Sequence, residues 1–331
     1  MARAAAVSGL LWCQFVLVQF SSGDVLHVPE ELAQEATFIR TSNTGEDNTT
    51  WSHLQASVKR QAFLNSHSQN YKQPTKYGPN QFSHLSPHQF KDIYLGARPE
   101  VVPKYNSTRF GHLRSKPCPA RFDWREYKAI GPVQDQGLCG GCWAFSVVAA
   151  IEAVEVKDGG TLQDLSVQQV IDCSYINAGC KGGSTVSTLK WLKQSKMKLV
   201  REKRYPYKAE TKMCQIFPQS FGSASVKDYY AFDFSSQEEL MMQWLVYAGP
   251  LVVIVDAVSW QDYLGGVIQH HCSSRHANHA VVIIGYDITG EVPFWIIRNS
   301  WGKSWGDGGY AYVKMGENMC GVADCVAVVV L

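Results

Sequence analysis

Beyond Phe20 the 331-residue chain has no apolar run of membrane-spanning length. A helix needs about 20 consecutive apolar residues to cross a bilayer, so the rest of the chain is expected to be soluble, without a membrane partner. There is no polybasic run either. The 31 basic and 29 acidic residues are spread along the chain, for a net charge of +2. That leaves no electrostatic footprint for nucleic acid or an anionic lipid surface, and neither is expected as a partner. Internal repeats are absent, and no exposed apolar pattern demands an oligomer, so a monomer is expected. What is present suffices for a packed core: 45% hydrophobic and 18% charged residues, enough for one or two domains.

Ten cysteines are more than a typical cytosolic enzyme carries, and they suit an oxidising compartment. The N-terminus supplies a route there. Arg3 precedes an apolar run from Ala4 to Phe20, and the small residues Ser21, Ser22 and Gly23 follow. This predicts a signal peptide over residues 1–23. A membrane anchor is the competing reading, but the run is short and Gln14 and Gln19 interrupt it. Residues 24–117 are polar, with one helical candidate near His53 to Ser66. They hold two sequons, starting at Asn48 and Asn106, which predict glycans on an exposed secretory surface. Pro99 to Pro119 reads as a linker open to a processing enzyme.

From Arg121 onward the chain reads as a folded unit in two halves. In the first, a helix is predicted from Cys142 to Lys157, stopped by Gly159 and Gly160. Ser166 and Ser184 are candidate N-caps of two further helices, and Ser236 to Glu239 a capping box before Leu240 to Ala248. In the second half, Leu251 to Val255, His279 to Gly285, Pro293 to Ile297 and Gly309 to Val313 are candidate strands. Helices first and strands later predict an α+β protein with a helical lobe and a sheet lobe.

The most informative stretch is Gln136-Gly137-Leu138-Cys139-Gly140-Gly141-Cys142-Trp143-Ala144-Phe145. Cys139-x-x-Cys142 has three readings: a redox pair, half of a zinc site, or one structural cysteine beside one reactive one. The redox reading lacks a βαβ setting. The zinc reading lacks a second close Cys/His pair, so no metal is expected. In the third, Cys142 opens a helix, whose N-terminus favours the thiolate. Gln136 offers an amide donor to an oxyanion, and a base is still required.

Here the chain resembles the papain-like cysteine peptidases. Residues Gln136 to Phe145 resemble their nucleophile motif, and Asn278-His279-Ala280-Val281 their histidine motif. Asn299-Ser300-Trp301-Gly302, with Trp305-Gly306 and Gly308-Gly309-Tyr310, resembles their asparagine motif. His and Asn lie about 140 and about 160 residues after Cys142, in the family's order.

The resemblance implies a two-lobe fold with a helical left lobe, a β-barrel-like right lobe and the active site in the cleft between them. It implies Cys142 as nucleophile, His279 as acid/base, Asn299 as orienter of the imidazole and Trp301 as its shield. Gln136 and the Cys142 N–H would form the oxyanion hole. Disulfides are implied between Cys139 and Cys180, Cys173 and Cys214, and Cys272 and Cys320. Cys118 and Cys325 could form a fourth bridge, but Cys325 falls at the main specificity subsite and two free thiols are expected. Gly183, Ser184, Ile254, Ala277, Cys325 and Trp301 are the candidate substrate-binding residues, with core packing the competing reading for Ile254. Gly141 stands where most relatives have Ser, with a modest effect on substrate-backbone contact expected. In the leader, Gly78-x-Asn80-x-Phe82-x-His84 resembles a propeptide motif with His84 in place of its usual Asp. His84 raises the prospect of a shifted pH threshold for release. Of the longer propeptide signature only Arg60 and Phe63 are recognisable.

The expectation is thus a lysosomal cysteine endopeptidase, with residues 24–117 as an inhibitory propeptide and residues 118–331 as the peptidase. Secretion is the alternative destination. Protein and peptide substrates and, by resemblance, cystatin-type inhibitors are the expected partners, and no cofactor is expected. A non-catalytic binding protein on the same scaffold is the competitor, which the presence of Cys142 disfavours.

Overall fold

The computed structural model describes residues 15–19, 25–29, 45–106 and 117–331, with side chains from Thr49 onward. Most of the signal peptide predicted over residues 1–23 lies outside the described residues, as do Ser107 and Thr108 of the second sequon. Strands β1 (Phe15–Gln19) and β2 (Val25–Pro29) pair antiparallel. The N-terminal segment then forms helix α1 (Gly45–Ser68), strand β3 (Lys76–Tyr77) and helix α2 (Pro87–Tyr94). Helix α1 is longer than the predicted His53 to Ser66, and α2 was not expected. Its start is nonetheless written in the sequence. Ser86 and Gln89 cap each other reciprocally, and Pro87 occupies the first turn.

The main body continues with β4 (Arg121–Asp123), α3 (Cys142–Lys157), α4 (Val167–Cys173) and α5 (Thr185–Ser195). Ser166 and Ser184 cap α4 and α5 as predicted, accepting from the N–H groups of Gln169 and Ser187. Next come β5 (Asp228–Phe232), α6 (Met241–Tyr247), β6 (Leu251–Val255), β7 (Tyr263–Gly265) and β8 (Val267–Ile268). Strands β9 (His279–Asp287), β10 (Phe294–Arg298), β11 (Tyr310–Lys314) and β12 (Val326–Val330) complete the chain. The capping box predicted at Ser236 to Glu239 does not form. Glu238 is buried and receives the Trp295 indole N–H and the Asn318 N–H, both at 2.7 Å. No side chain caps the short turn Glu238–Leu240 or the start of α6.

The main sheet runs β5-β12-β6-β9-β10-β11-β8, with β4 added to β9. Its path is open, so the barrel-like lobe is an open sheet without closure. Strand β6 explains how the two lobes meet. Its alternate residues face opposite sides, and all five are buried. Leu251, Val253 and Val255 join the core holding Trp260, Trp295, Trp301 and Trp305. Val252 and Ile254 join the core of helices α3 to α5. The result is the expected α+β papain-like architecture.

The N-terminal segment packs on the main body. Ser57, Arg60 and Gln61 of α1 converge on the fully buried Asp262 carboxylate, with the Arg60 contact at 2.6 Å. Strand β3 pairs with β7. Phe82, Phe90 and Tyr94 stand edge-on to Trp301, with ring centroids 5.2–6.5 Å away. Phe63 is 57% exposed, so Arg60 is the anchor of that pair. His84 is also exposed, and its carbonyl faces His53 Nδ1 at 3.2 Å.

Candidate active site

Helix α3 begins at Cys142 after Gly141, with no side chain capping its start. The free N–H groups and the helix dipole therefore act on the thiol. Backbone N–H groups of Ala280, Gly96, Trp143 and Cys142 favour the thiolate, but burial outweighs them and pushes the thiol up to about 11. A Cβ on Gly141 would come within 3.0 Å of Ile171 and 3.3 Å of the Cys139 sulfur. The missing serine side chain would thus meet the interior, which argues against the expected change in substrate contact.

Strand β9 begins at His279, next to Ala280. His279 Nε2 lies 2.8 Å from Asn299 Oδ1. The Ser300 N–H also donates to that oxygen at 2.8 Å, which fixes the amide orientation. Nε2 is then the donor to Asn299, which leaves the buried Nδ1 as the ring nitrogen open to the reaction. The Trp301 indole lies over the imidazole at 4.4 Å between centroids and 28° between planes. It keeps water from the His279–Asn299 bond. Burial pushes the imidazole down to about 4.

Gln136 is fully buried and held on three sides. Its Oε1 accepts from Ser300 Oγ at 2.8 Å, its carbonyl from Tyr207 Oη at 2.6 Å, and its N–H donates to the Ser300 carbonyl. Its Nε2 donates to the Tyr94 carbonyl at 3.0 Å. That carbonyl also faces His279. Ser300 and Tyr207 were not singled out from the sequence. Ser300 stood inside the asparagine motif, whereas nothing local marks Tyr207.

Of the candidate substrate-binding residues, Gly183 is engaged on both sides. Its N–H donates to the Gly96 carbonyl at 3.0 Å, and its carbonyl accepts from the Arg98 N–H at 2.8 Å. The pairing is parallel. The fit is tight: a Cβ on Gly96 would stand 2.2 Å from the Gly140 carbonyl oxygen. Gly182 has φ of 108°, and a Cβ there would stand 2.4 Å from the Gly96 oxygen. Ser184 contacts Glu100. Ala277 packs at the edge of the helical core. Cys325 is buried, and Ile254 is fully buried opposite Ala280. Ile254 therefore sits as core, its competing reading. Trp301 meets Phe82, Phe90, Tyr94 and His279 and lies fully inside.

The disulfides are Cys139–Cys180, Cys173–Cys214 and Cys272–Cys320. Cys118, Cys142 and Cys325 are free. Cys139 is thereby unavailable to Cys142 as a redox partner. Among the described residues no group of three or more His, Cys, Asp or Glu could hold a metal ion.

Residues 118–330 match the family described as "Papain family cysteine protease". The chain is 54% identical over 271 residues to Cathepsin O of Homo sapiens, covering 82% of this chain and 84% of that protein. It is 52% identical over 285 residues to Cathepsin O of Mus musculus, covering 84% and 91%. The solved digestive procathepsin L2 proteinase of Tenebrio molitor larval midgut superposes with a TM-score of 0.81 at 27% identity, covering 91% of this chain and 99% of that one. The recombinant stem bromelain precursor gives 0.76 at 30% identity, covering 91% and 97%. A cysteine at a helix start, an imidazole held by an asparagine and the family match together lead to one statement: this chain belongs to the papain family of cysteine proteases.

Proposed function

We propose that the protein is a lysosomal cysteine endopeptidase made as a zymogen. Residues 1–23 serve as signal peptide, residues 24–117 as an inhibitory leader and residues 118–331 as the peptidase. Cys142 attacks the peptide carbonyl. Gln136 Nε2 and the Cys142 N–H hold the oxyanion, and His279, steadied by Asn299, protonates the leaving amine from Nδ1. Water then cleaves the thioester.

The observation that carries this reading is the Tyr94 carbonyl on Gln136 Nε2. The leader puts a peptide oxygen where the reaction would generate charge. Its backbone then continues past Gly183 to pair near Asp233. A chain that crosses the cleft from end to end fits an endopeptidase. Covered in this way, thiol and imidazole are both held neutral, one pushed up to about 11 and the other down to about 4. Release of the leader returns water to the pair and favours the thiolate with imidazolium. A peptidyl epoxide should label Cys142 in the processed protein and leave the precursor unlabelled. Equal labelling of both would remove the inhibitory role.

Secretory passage adds glycans at Asn48 and Asn106, with extracellular release as a second destination. The processed enzyme acts as a monomer and meets cystatin-type inhibitors in the same cleft. Gln136→Ala should lower kcat by about 10²–10³-fold with a smaller change in KM, because the lost donor acts on charge that develops in the transition state. Single-turnover kinetics would check this, and an unchanged kcat would remove Gln136 from the oxyanion hole.

The leader contact should weaken in acid, through histidines other than His84. His67 on α1 faces His271 at 5.2 Å between centroids, and His271 faces His270 at 4.3 Å. Phe63 and Tyr71 pack against the group, and Ser68 Oγ lies 3.1 Å from His270 Nε2. Burial first and the neighbouring imidazoles second push His270 down to about 4, and His271 is lowered by burial and His67. The docked state therefore binds fewer protons than the separated one, whose imidazoles titrate near about 6.5. Docking is at full strength above that pH and weakens as pH falls toward about 4. His67→Gln with His270→Gln should flatten the pH dependence of activation. An unaltered profile would exclude the cluster.

A further inference from the structure

The leader leaves a second imprint on the main body, beyond the oxyanion contact. Glu100 Oε1 accepts from the hydroxyls of Ser184 and Ser187, and from the Ser187 backbone N–H at 3.1 Å. All three donors belong to the main body. Ser184 is the N-cap of the 11-residue helix α5, so the carboxylate also meets that helix's positive end. Two hydroxyls and an N–H on a carboxylate are charge-assisted and favour the ion over its neutral amide counterpart.

The carboxylate is brought in by a foreign strand. The leader pairs with Gly183 through Gly96 and Arg98 before reaching Glu100. The Glu100 backbone N–H faces the Cys325 thiol. The donor set thus lies next to the backbone edge that carries a chain through the cleft. Other charges are nearby but engaged: Lys193 pairs with Asp228, and the leader's Lys104 pairs with Asp233, each at 2.7 Å. Asp233 and Asp324 act unfavourably on a negative charge near Cys325. Selection of an acid there must come from the three donors.

We infer that Ser184 and Ser187, with the Ser187 N–H, form a subsite of the processed enzyme that selects an acidic side chain in the substrate. The leader occupies it with Glu100 until it is removed. This deepens the proposed function and rests on the leader being removable.

The test uses quenched peptides with Glu or Gln at each of the four residues on either side of the scissile bond. At one position Glu should exceed Gln in kcat/KM by about tenfold, carried by KM, as hydrogen bonds to a charged group discriminate by that order. Ser187→Ala should bring the Glu-to-Gln ratio toward one, and Ser187→Thr should restore it. A general packing defect would lower both peptides together and leave their ratio alone. Equal rates for Glu and Gln at every position, or a ratio that survives Ser187→Ala, overturns the inference. Titrating the same peptides into a Cys142→Ala chain, its leader cut away in trans, reads the preference as affinity without catalysis. Failure of the nucleophile assignment then leaves this result intact, and a lost Glu preference in binding refutes the subsite alone.

Discussion

Cys142→Ala in the processed protein is expected to lower kcat for peptide hydrolysis by about 10⁶-fold, the scale seen when a triad nucleophile is removed. The size follows from the site's construction. Among the described residues the other free thiols are Cys118 and Cys325, and Cys139 is committed to Cys180. What remains after the substitution is the binding cleft and the oxyanion donors, which preserve a small residual rate over water. His279→Ala should cost nearly as much, and the double variant little more than either, because the two act as one unit. Because Cys142 is fully buried at the start of α3, the small replacement should leave the fold intact. The check is a burst-free progress curve with a folded circular dichroism spectrum. A rate within tenfold of the parent would remove Cys142 as nucleophile.

The second large effect concerns the leader. Phe90 is fully buried between the two parts of the chain, with its ring 5.2 Å from both Phe82 and Trp301 and 5.6 Å from Tyr94. Phe90→Ala removes the centre of that aromatic stack. Truncating a buried phenylalanine costs about 3–5 kcal/mol, from lost burial and the cavity left behind. The cost falls on docking, since the proposed processing removes the residue. Leader release should become easier by about 10²–10⁴-fold. The intact Phe90→Ala precursor should therefore hydrolyse peptides well above the parent precursor before any cleavage, as mass spectrometry of the chain can verify. A precursor as silent as the parent would mean that this stack does not hold the leader. Identical melting temperatures of the two processed enzymes would assign the change to the leader.

Much of the candidate site was legible because its parts are local. Gly141 before Cys142, then an apolar run to Lys157, encodes a helix whose first residue is the thiol. Ser166 and Ser184 encode their caps in three-residue spacings, and the β6 run of five apolar residues encodes a strand buried on both faces. Where local signals misled, a distant group intervened. Glu238, inside the predicted Ser236 to Glu239 capping box, is claimed through its carboxylate by the distant Trp295 and Asn318. The strands β4, β5 and β12 were passed over: β4 has only three residues, too few to show a period, whereas Val326 to Val330 is as apolar a run as β6.

The sequence by itself determined the chemistry: a cysteine at a helix start, then a histidine and an asparagine in order, and the cysteines available for bridging. Their identities and order survive any packing. The tertiary structure decided what each faces. It brought Tyr94, 42 residues before Gln136 in the chain, onto the Gln136 amide. It gathered His67, His270 and His271 into one cluster and left His84 in solvent. It set Glu100 on Ser184 and Ser187. These contacts join residues far apart in the chain, whose meeting depends on how whole surfaces fit and not on any local propensity.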